Sequence, residues 1–592
     1  MSKYVFFAET KIVSFQTNKP PFPAPLPETM NLNLKAQPAN TYDAIVVGSG
    51  ISGGWAAMEL TKKGLKVLLL ERGRNVEHVK DYHTAMKNTW EFEHRGRSTN
   101  HDREHYGLQM RNYGVNETNR HFYVDEKESP YVQTKNETFV WARGHQVGGR
   151  SLTWGRQCYR WSDLDFEANA KEGIGVDWPI RYRDIEPWYT YAEKFVGISG
   201  SRENIAHLPD GEFLPPMQMN CVEKHVSHQI EKIYPDRRMI IGRVANLTEA
   251  KAGRGVCQFR NLCERGCPFG GYFSTNSATL PVALATGNLT LRPHSIVLSV
   301  LYDQAKQKAR GVTVLDAETN QTHEYFAKVI FLNASTVSTA AILLNSVSNR
   351  FPDGLGNDSG ELGHNLMMHF KTGASGVLEG FADKYHFGRR ANGIYVPRFR
   401  NVREKHPGFL RGYNYQGGAG RGRNHAEGFG AEWKEQASQP SGNWNMGLVG
   451  FGEQLPDHDN QVRLSKTVTD KWGVAVPEIG FEWKENELAM AKDTVEQSME
   501  MLTAAGLKDV RTNFGLPMPL STVHEMGTAR MGHDPKTSLL NAHNQMHAVK
   551  NVFVTDGSCM ASSSSVNPSI TYMALTARAC AYAVDEMRNL TL

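Results

Sequence analysis

The chain has 592 residues, more than one ordinary core organises, and the length fits about two to four domains or one large α/β assembly. A 40% hydrophobic and 10% aromatic content supplies a sizeable core and excludes a mainly disordered or fibrous chain. With 66 Lys and Arg against 62 Asp and Glu, the net charge of +4 gives no electrostatic case for nucleic acid or an anionic membrane.

No apolar run approaches the ~20 residues that span a bilayer. The first residues make a poor signal peptide, because Glu9 and Lys11 interrupt a short apolar stretch. Five prolines between Pro20 and Pro27 make residues 1–41 an extended, loose extension, and Met30 is an alternative start. The apolar β-branched run Tyr42–Val47 then stops at Gly48-Ser49-Gly50-Ile51-Ser52-Gly53-Gly54. Trp55–Lys63 is expected to be helical, Gly64 its cap, and Lys66–Leu70 a second buried strand ending at Glu71. This is a βαβ unit with Gly48, Gly50 and Gly53 at its first turn and an acid about 20 residues further on. Such glycines admit a pyrophosphate to the helix N-terminus, and Glu71 is placed to accept from ribose hydroxyls.

Residues 75–138 are polar and poorly periodic, and are expected to form long loops and short helices on a site face. In Phe139–Gly155, Gly148 and Gly149 precede Arg150-Ser151 and offer a second close approach to a ligand. Asp177–Gly200 is expected to be a helix, Leu289–Leu301 and Lys308–Asp316 paired strands, Lys328–Leu332 a strand and Ala334–Leu344 a helix. Residues 366–482 alternate strand-like runs with turns, as a substrate-capping sheet would, and Asn486–Ala505 and Ser569–Arg588 are helical. Seven cysteines are too few for a disulfide scaffold, but Cys257, Cys263 and Cys267 crowd into eleven residues, which points to a metal or cluster site. Cys158, Cys221, Cys559 and Cys580 are scattered.

Near the C-terminus stand His524-Glu525-Met526-Gly527-Thr528, then Asp556-Gly557-Ser558, then Asn567-Pro568-Ser569. Together with the glycine-rich start and Gly148-Gly149-Arg150-Ser151, this order resembles the glucose–methanol–choline (GMC) oxidoreductases from about Tyr42 to the end of the chain. The resemblance implies an α/β fold: a Rossmann-like FAD-binding domain with a discontinuous α+β substrate-capping domain. The FAD-binding part would use 42–160, 240–345 and 506–592, and the cap 161–239 and 346–505. It implies His524 and Asn567 as the active-site pair, with Gly48, Gly50, Gly53, Glu71, Gly148, Gly149, Ser151, Asp556, Gly557 and Pro568 at the cofactor. Histidine suits the chemistry, because its pKa near 6.5 lets it accept the hydroxyl proton at neutral pH. An Asn amide can hydrogen-bond the developing alkoxide. As a bare sequence feature, Asn567 before Pro568 is equally a helix N-cap. Thr153 stands where pyranose-oxidase-like members carry the His that bonds flavin, so the FAD is expected to be non-covalent.

The run Cys257-x5-Cys263-x3-Cys267-Pro268 resembles the flavoprotein subunits of membrane-linked FAD glucose dehydrogenases, which carry a [3Fe–4S] cluster on three cysteines. Zinc, buried free thiols, or a fourth ligand from Cys221 are the other readings. A one-electron relay beside a two-electron flavin implies a dehydrogenase acting on a sugar or glycoside, at C3 of a pyranoside in one version. Electrons would leave for a cytochrome c-type carrier, a small subunit would accompany the chain, and a signal on that subunit would bring both to the periplasm, with the cytoplasm as the alternative. Glu453 and Gln454 are candidate sugar-binding residues. The competing functions are an FAD sugar oxidase using dioxygen, and a non-catalytic electron-transfer or scaffold subunit.

Overall fold

A computed structural model describes residues 41–592 apart from 113, 135–138, 382–389, 422–427, 439–442 and 514–520. Among the described residues, no helix is long and apolar enough to cross a membrane.

The first sheet has seven strands. In spatial order they are Leu289–Arg292, Val67–Leu70, Thr41–Val47, Thr322–Leu332, Lys308–Asp316 and Ser295–Asp303, with Val552–Val554 also on Thr322–Leu332. The strands at the Thr41–Val47 end pair in parallel and are buried as near-continuous apolar runs, because helices cover them. The hairpin partners Ser295–Asp303 and Lys308–Asp316 are antiparallel. The helix Ile51–Lys62 starts four residues before the expected Trp55, since the chain turns at Gly48, whose φ is +90°, and Gly50 is already the extended cap. The expected strand Leu289–Leu301 is two strands, broken at Pro293-His294, where His294 is left-handed. The helix expected over Asp177–Gly200 spans Tyr182–Val196 and stops at left-handed Gly197. The last helix is Ser569–Arg588 and packs on Ile51–Lys62 and Tyr182–Val196.

The second sheet has six antiparallel strands in the order Lys508–Thr512, Phe370–Leu378, Trp444–Gly452, Tyr413–Gly420, Ile394–Val396 and Ile240–Ile241. Its outer strands correct the sequence division: Ile240–Ile241 and Lys508–Thr512 fall in segments assigned to the FAD-binding part, yet pair with the cap. Both are too short for periodicity to assign. Side chains alternate between faces along each strand. Phe370, Ala374, Leu378, Trp444, Met446 and Leu448 form one buried apolar face, which the helix Glu485–Ala504 covers. The opposite face carries Lys371, Phe451, Asn414 and Gln416 and looks toward the C-terminal ends of the parallel strands, where α/β sheets bind ligands.

Candidate active site

A long cavity runs from the hairpin residues Ser295–Leu298, past Glu71 and Gly48–Ser52, to His524, Asn567 and Tyr572. Its walls are backbone brought close by glycine. A Cβ on Gly53 would lie 1.8 Å from the Gly48 carbonyl oxygen, and one on Gly48 2.4 Å from that of Asn333. Gly148 and Gly149 have φ of +95° and +48°, and Gly149 packs against Gly50, so the two glycine-rich turns meet. Ser151 closes its own turn onto the Gly148 carbonyl at 2.5 Å and receives the Thr275 N–H at 3.0 Å. Glu71 is buried and accepts from Ser49 N (3.1 Å), Ser49 Oγ (2.5 Å) and Gly73 N (3.0 Å). Burial pushes its carboxyl pKa up against those bonds. Asp556 accepts from Ser335 N, Thr339 Oγ1 and Ser558 N, and so pins the loop that turns Gly557 into the wall. Asn333 Nδ2 and Tyr572 Oη line this cavity, buried and with no hydrogen-bond partner in the protein. A polar ligand satisfies such atoms. An elongated slot with two glycine cradles, an acid at the second strand end and orphaned donors fits FAD.

At the far end, His524 and Asn567 meet, with Asn567 Nδ2 3.4 Å from His524 Nε2. Asn567 does not cap the following helix: Pro568 is the cap residue and no side chain bonds the first turn. The Asn567 side chain is instead held by Gln416, whose Nε2 donates to Oδ1 at 2.7 Å. On its other side, His524 Nδ1 is 3.0 Å from His369 Nδ1, and His369 Nε2 is 3.2 Å from the Ser563 carbonyl. These contacts fix the tautomers. A carbonyl only accepts, so His369 Nε2 carries hydrogen and its Nδ1 accepts, which makes His524 Nδ1 the donor and leaves the lone pair on Nε2. Gln416 leads to the same result, because it turns the Asn567 NH2 group toward that lone pair. Burial holds His524 well below the usual histidine range, helped by the neighbouring charges of Lys371 and Arg150. Burial likewise pushes His369 down to about 4. Both rings are therefore neutral at pH 7. Arg150 forms a double hydrogen bond with Glu525, the residue after His524 (3.2 and 2.6 Å), and ties the second glycine turn to the His524 loop.

Sequence reasoning missed His369, Gln416, Lys371 and the Arg150–Glu525 pair. Only strand pairing reveals the first three, since Lys371 and Gln416 come from two strands of one sheet and His369 immediately precedes the first of them. It also misplaced Glu453 and Gln454. Both are fully buried and neither lines the cavity. Glu453 pairs with Arg411 at 2.8 Å and Gln454 Oε1 accepts from Met368 N, so these polar side chains hold the protein together and do not face substrate. Thr153 lines the cavity beside Trp154. Cys257, Cys263 and Cys267 share one irregular loop, and burial pushes the Cys257 and Cys267 thiols up. Glu264, inside the cysteine run, lines the cavity. The donor chemistry suits iron or zinc, yet among the described residues no three His, Cys, Asp or Glu side chains converge closely enough to hold a metal. Cys221 opens the helix Cys221–Ile233.

Fold and cavity define a flavoprotein oxidoreductase. Two family profiles, each described as GMC oxidoreductase, match residues 42–371 and 456–576. The chain belongs to the GMC oxidoreductase family, which acts on CH–OH groups. It is 28% identical over 563 residues to 2-methyl-1,2-propanediol dehydrogenase of Mycolicibacterium austroafricanum, covering 92% of this chain and 95% of that one. It is 24% identical to the fructose dehydrogenase large subunit of Gluconobacter japonicus, covering 92% and 98%. It is 25% identical to paromamine 6'-oxidase of Streptomyces fradiae, covering 90% and 89%. Among solved structures, pyridoxine 4-oxidase from Mesorbium loti aligns with a TM-score of 0.55 at 15% identity, over 92% of this chain and 99% of that one, which supports the fold.

Proposed function

We propose that this protein is an FAD-dependent dehydrogenase that oxidises an alcohol carbon of a sugar, glycoside or related polyol. The observation that carries this reading is the pair of hydrogen-bond chains that leave His524 Nε2 as an acceptor beside the Asn567 amide. Bound FAD supplies the hydride acceptor, flavin N5. The protein's part is to bring the alcohol between Nε2 and the Asn567 NH2 group. His524 Nε2 takes the hydroxyl proton, and Asn567 donates to the oxygen as charge develops. An intact pair of this kind weighs against a scaffold subunit.

For electron exit, the Cys257-x5-Cys263-x3-Cys267-Pro268 spacing supports a [3Fe–4S] relay, with a cytochrome c-type acceptor, a small subunit and co-export with it. Those three thiolates would hold the cluster. A second reading is a direct oxidase, favoured by thiols that do not converge and by the oxidase among the relatives.

His524→Ala tests the chemistry. It is expected to keep FAD and to lower anaerobic flavin reduction by at least ~10²-fold, the scale of a lost general base. Iron and acid-labile sulfide analysis of the purified protein tests the exit. About three irons per chain, lost in Cys263→Ser, support the relay. Iron-free protein that consumes dioxygen with the alcohol establishes the oxidase instead.

A further inference from the structure

We propose that the hairpin Gln461–Gly480 is a clamp on the adenosine half of FAD, closed by the ion pair of Arg72 with Asp470, and that it sets how long the cofactor is held. The inference rests on the FAD reading of the cavity and gives a cofactor role to a segment that the sequence places in the substrate cap.

The hairpin belongs to neither large sheet. Gln461–Thr469 and Ala475–Gly480 pair antiparallel and join the short strand Val132–Gln133 in a three-stranded sheet of their own. The helix Thr336–Asn345 packs against both hairpin strands and against Ser295–Asp303. Hairpin and Ser295–Leu298 thus wall the same end of the long cavity, the end opposite His524. With the flavin ring at His524, the pyrophosphate on the glycine turns and the ribose at Glu71, the adenine falls at this end. The wall it meets is apolar: Leu464, Val474, Val476 and Pro477 from the hairpin, Ile296 and Val297 across from them. Such a wall suits a flat heteroaromatic ring.

The tip of the hairpin closes on Arg72. Asp470 Oδ1 accepts from Trp472 N at 2.9 Å and Val474 N at 3.0 Å, which folds the turn, while Oδ2 accepts from Arg72 Nη2 at 2.5 Å. One carboxylate, its side chain 2% exposed, therefore couples the shape of the tip to the clasp. Arg72 directly follows Glu71, so the clasp closes beside the ribose acceptor. Arg72 and Asp470 both line the cavity, and Arg72 Nε is buried with no hydrogen-bond partner among the described residues, a donor that a bound ligand satisfies. Trp472 lies over the guanidinium at 5.5 Å and donates its Nε1 hydrogen to the Ala317 carbonyl at 3.0 Å. None of these groups is near enough to His524 to serve hydride transfer. Their shared property is that they shut the adenosine end, and breaking such a pair acts chiefly on dissociation.

The test follows FAD release from the holoenzyme, read as the rise in flavin fluorescence after dilution. Asp470→Asn keeps the acceptor that folds the tip but turns an NH2 group against Arg72. It is expected to release FAD at least ~10-fold faster. Arg72→Gln is expected to do the same, and the double variant to release FAD no faster than either single one, because one contact is lost only once. The thermal midpoint separates retention from folding. Raising free FAD in step with the weakened binding is expected to restore the wild-type Tm, whereas a merely structural lesion leaves the gap at every FAD concentration. Should Asp470→Asn fold poorly, Trp472→Phe serves, since it removes only the bond to Ala317; release is expected to quicken about 2- to 5-fold. Wild-type release in all three single variants, multiplied effects in the double variant, or a Tm gap that FAD does not close overturns the proposal and leaves FAD as the cofactor. Wild-type protein that is purified without FAD and binds none when it is added removes the reading on which the inference stands.

Discussion

Replacing His369 by Leu tests the tautomer argument directly. His369 is 1% exposed and receives the His524 Nδ1 hydrogen at 3.0 Å. Leucine has similar bulk and no acceptor, so the variant strands a buried N–H. That costs about 1–3 kcal/mol, and the ring escapes the cost by rotating or by moving its hydrogen to Nε2. Either escape removes the lone pair from the alcohol. At 1.36 kcal/mol per tenfold in rate, flavin reduction is expected to slow by about 5- to 160-fold. The assay is anaerobic stopped-flow reduction of FAD-loaded protein, with flavin absorbance confirming that the cofactor is retained. His369→Gln, whose carbonyl can accept the same hydrogen, is expected to recover most of the rate. A merely structural role predicts that both variants behave alike. Wild-type reduction by His369→Leu refutes the argument.

Two further outcomes follow from the same geometry. Thr153 lines the cavity where a histidine would be needed to bond the flavin; acid precipitation is expected to release all the yellow colour into the supernatant, and flavin in the pellet would reveal an attachment elsewhere. The second concerns acid stability. The folded-state pKa of His369 is depressed to about 4, against about 6.5 in the unfolded chain. Between those values the unfolded chain binds a proton that the fold refuses, so this contribution is complete above pH 6.5 and lost as pH falls toward 4, at about 1.4 kcal/mol per pH unit. Urea denaturation at pH 7 and pH 5 measures the slope, and His369→Gln should be shallower by about that amount; identical slopes count against a buried neutral His369.

The dinucleotide unit was legible because each of its parts is local. An apolar β-branched run, a glycine turn and an acid at the next strand end lie within thirty residues, and each has one steric explanation. The terminal helix was legible for the same reason, through Pro568 and a long apolar periodicity. The roof of the site was not. Lys371 and Gln416 sit on strands rich in glycine, His369 immediately precedes the first of them, and their meeting depends on pairings across gaps of dozens of residues. Glu453 and Gln454 misled because an acid-amide pair in a polar loop suggests sugar recognition. Whether such a pair faces solvent or a buried arginine is decided by Arg411, 42 residues earlier. The three cysteines are a pattern whose chemistry is readable and whose geometry is not, since spacing alone does not say where each thiol turns.

Glu453 nonetheless bears on function through what it holds. Arg411 lies at the entry of one cap strand and Glu453 at the exit of its neighbour, and the two pair with neither exposed. The same guanidinium reaches Glu172 and the side-chain Oδ1 of Asn169. Asn169 donates onward to the Ala561 carbonyl at 3.0 Å, and Ser564 donates to Asp165 at 2.6 Å. Asn414 of the cap sheet reaches the Ser565 carbonyl. The loop 561–567 is thus gripped from the cap on one side and from the segment 163–172 on the other, and Asn567 is its last residue. This explains why charges are buried away from the reacting groups. A buried ion pair adds little net stability over apolar packing but penalises every arrangement that leaves one partner alone. A slip of one residue in the cap strands would turn Phe370 and Thr372 to the face that now carries Lys371, Phe451 and Asn414. It would also break the Arg411–Glu453 pairing and leave both charges uncompensated. The apolar face sets the distance between the sheet and its covering helix, whereas the charge network sets its register. Register is what the chemistry needs, because it puts the His369 acceptor and the Gln416 donor on opposite sides of one imidazole and one amide.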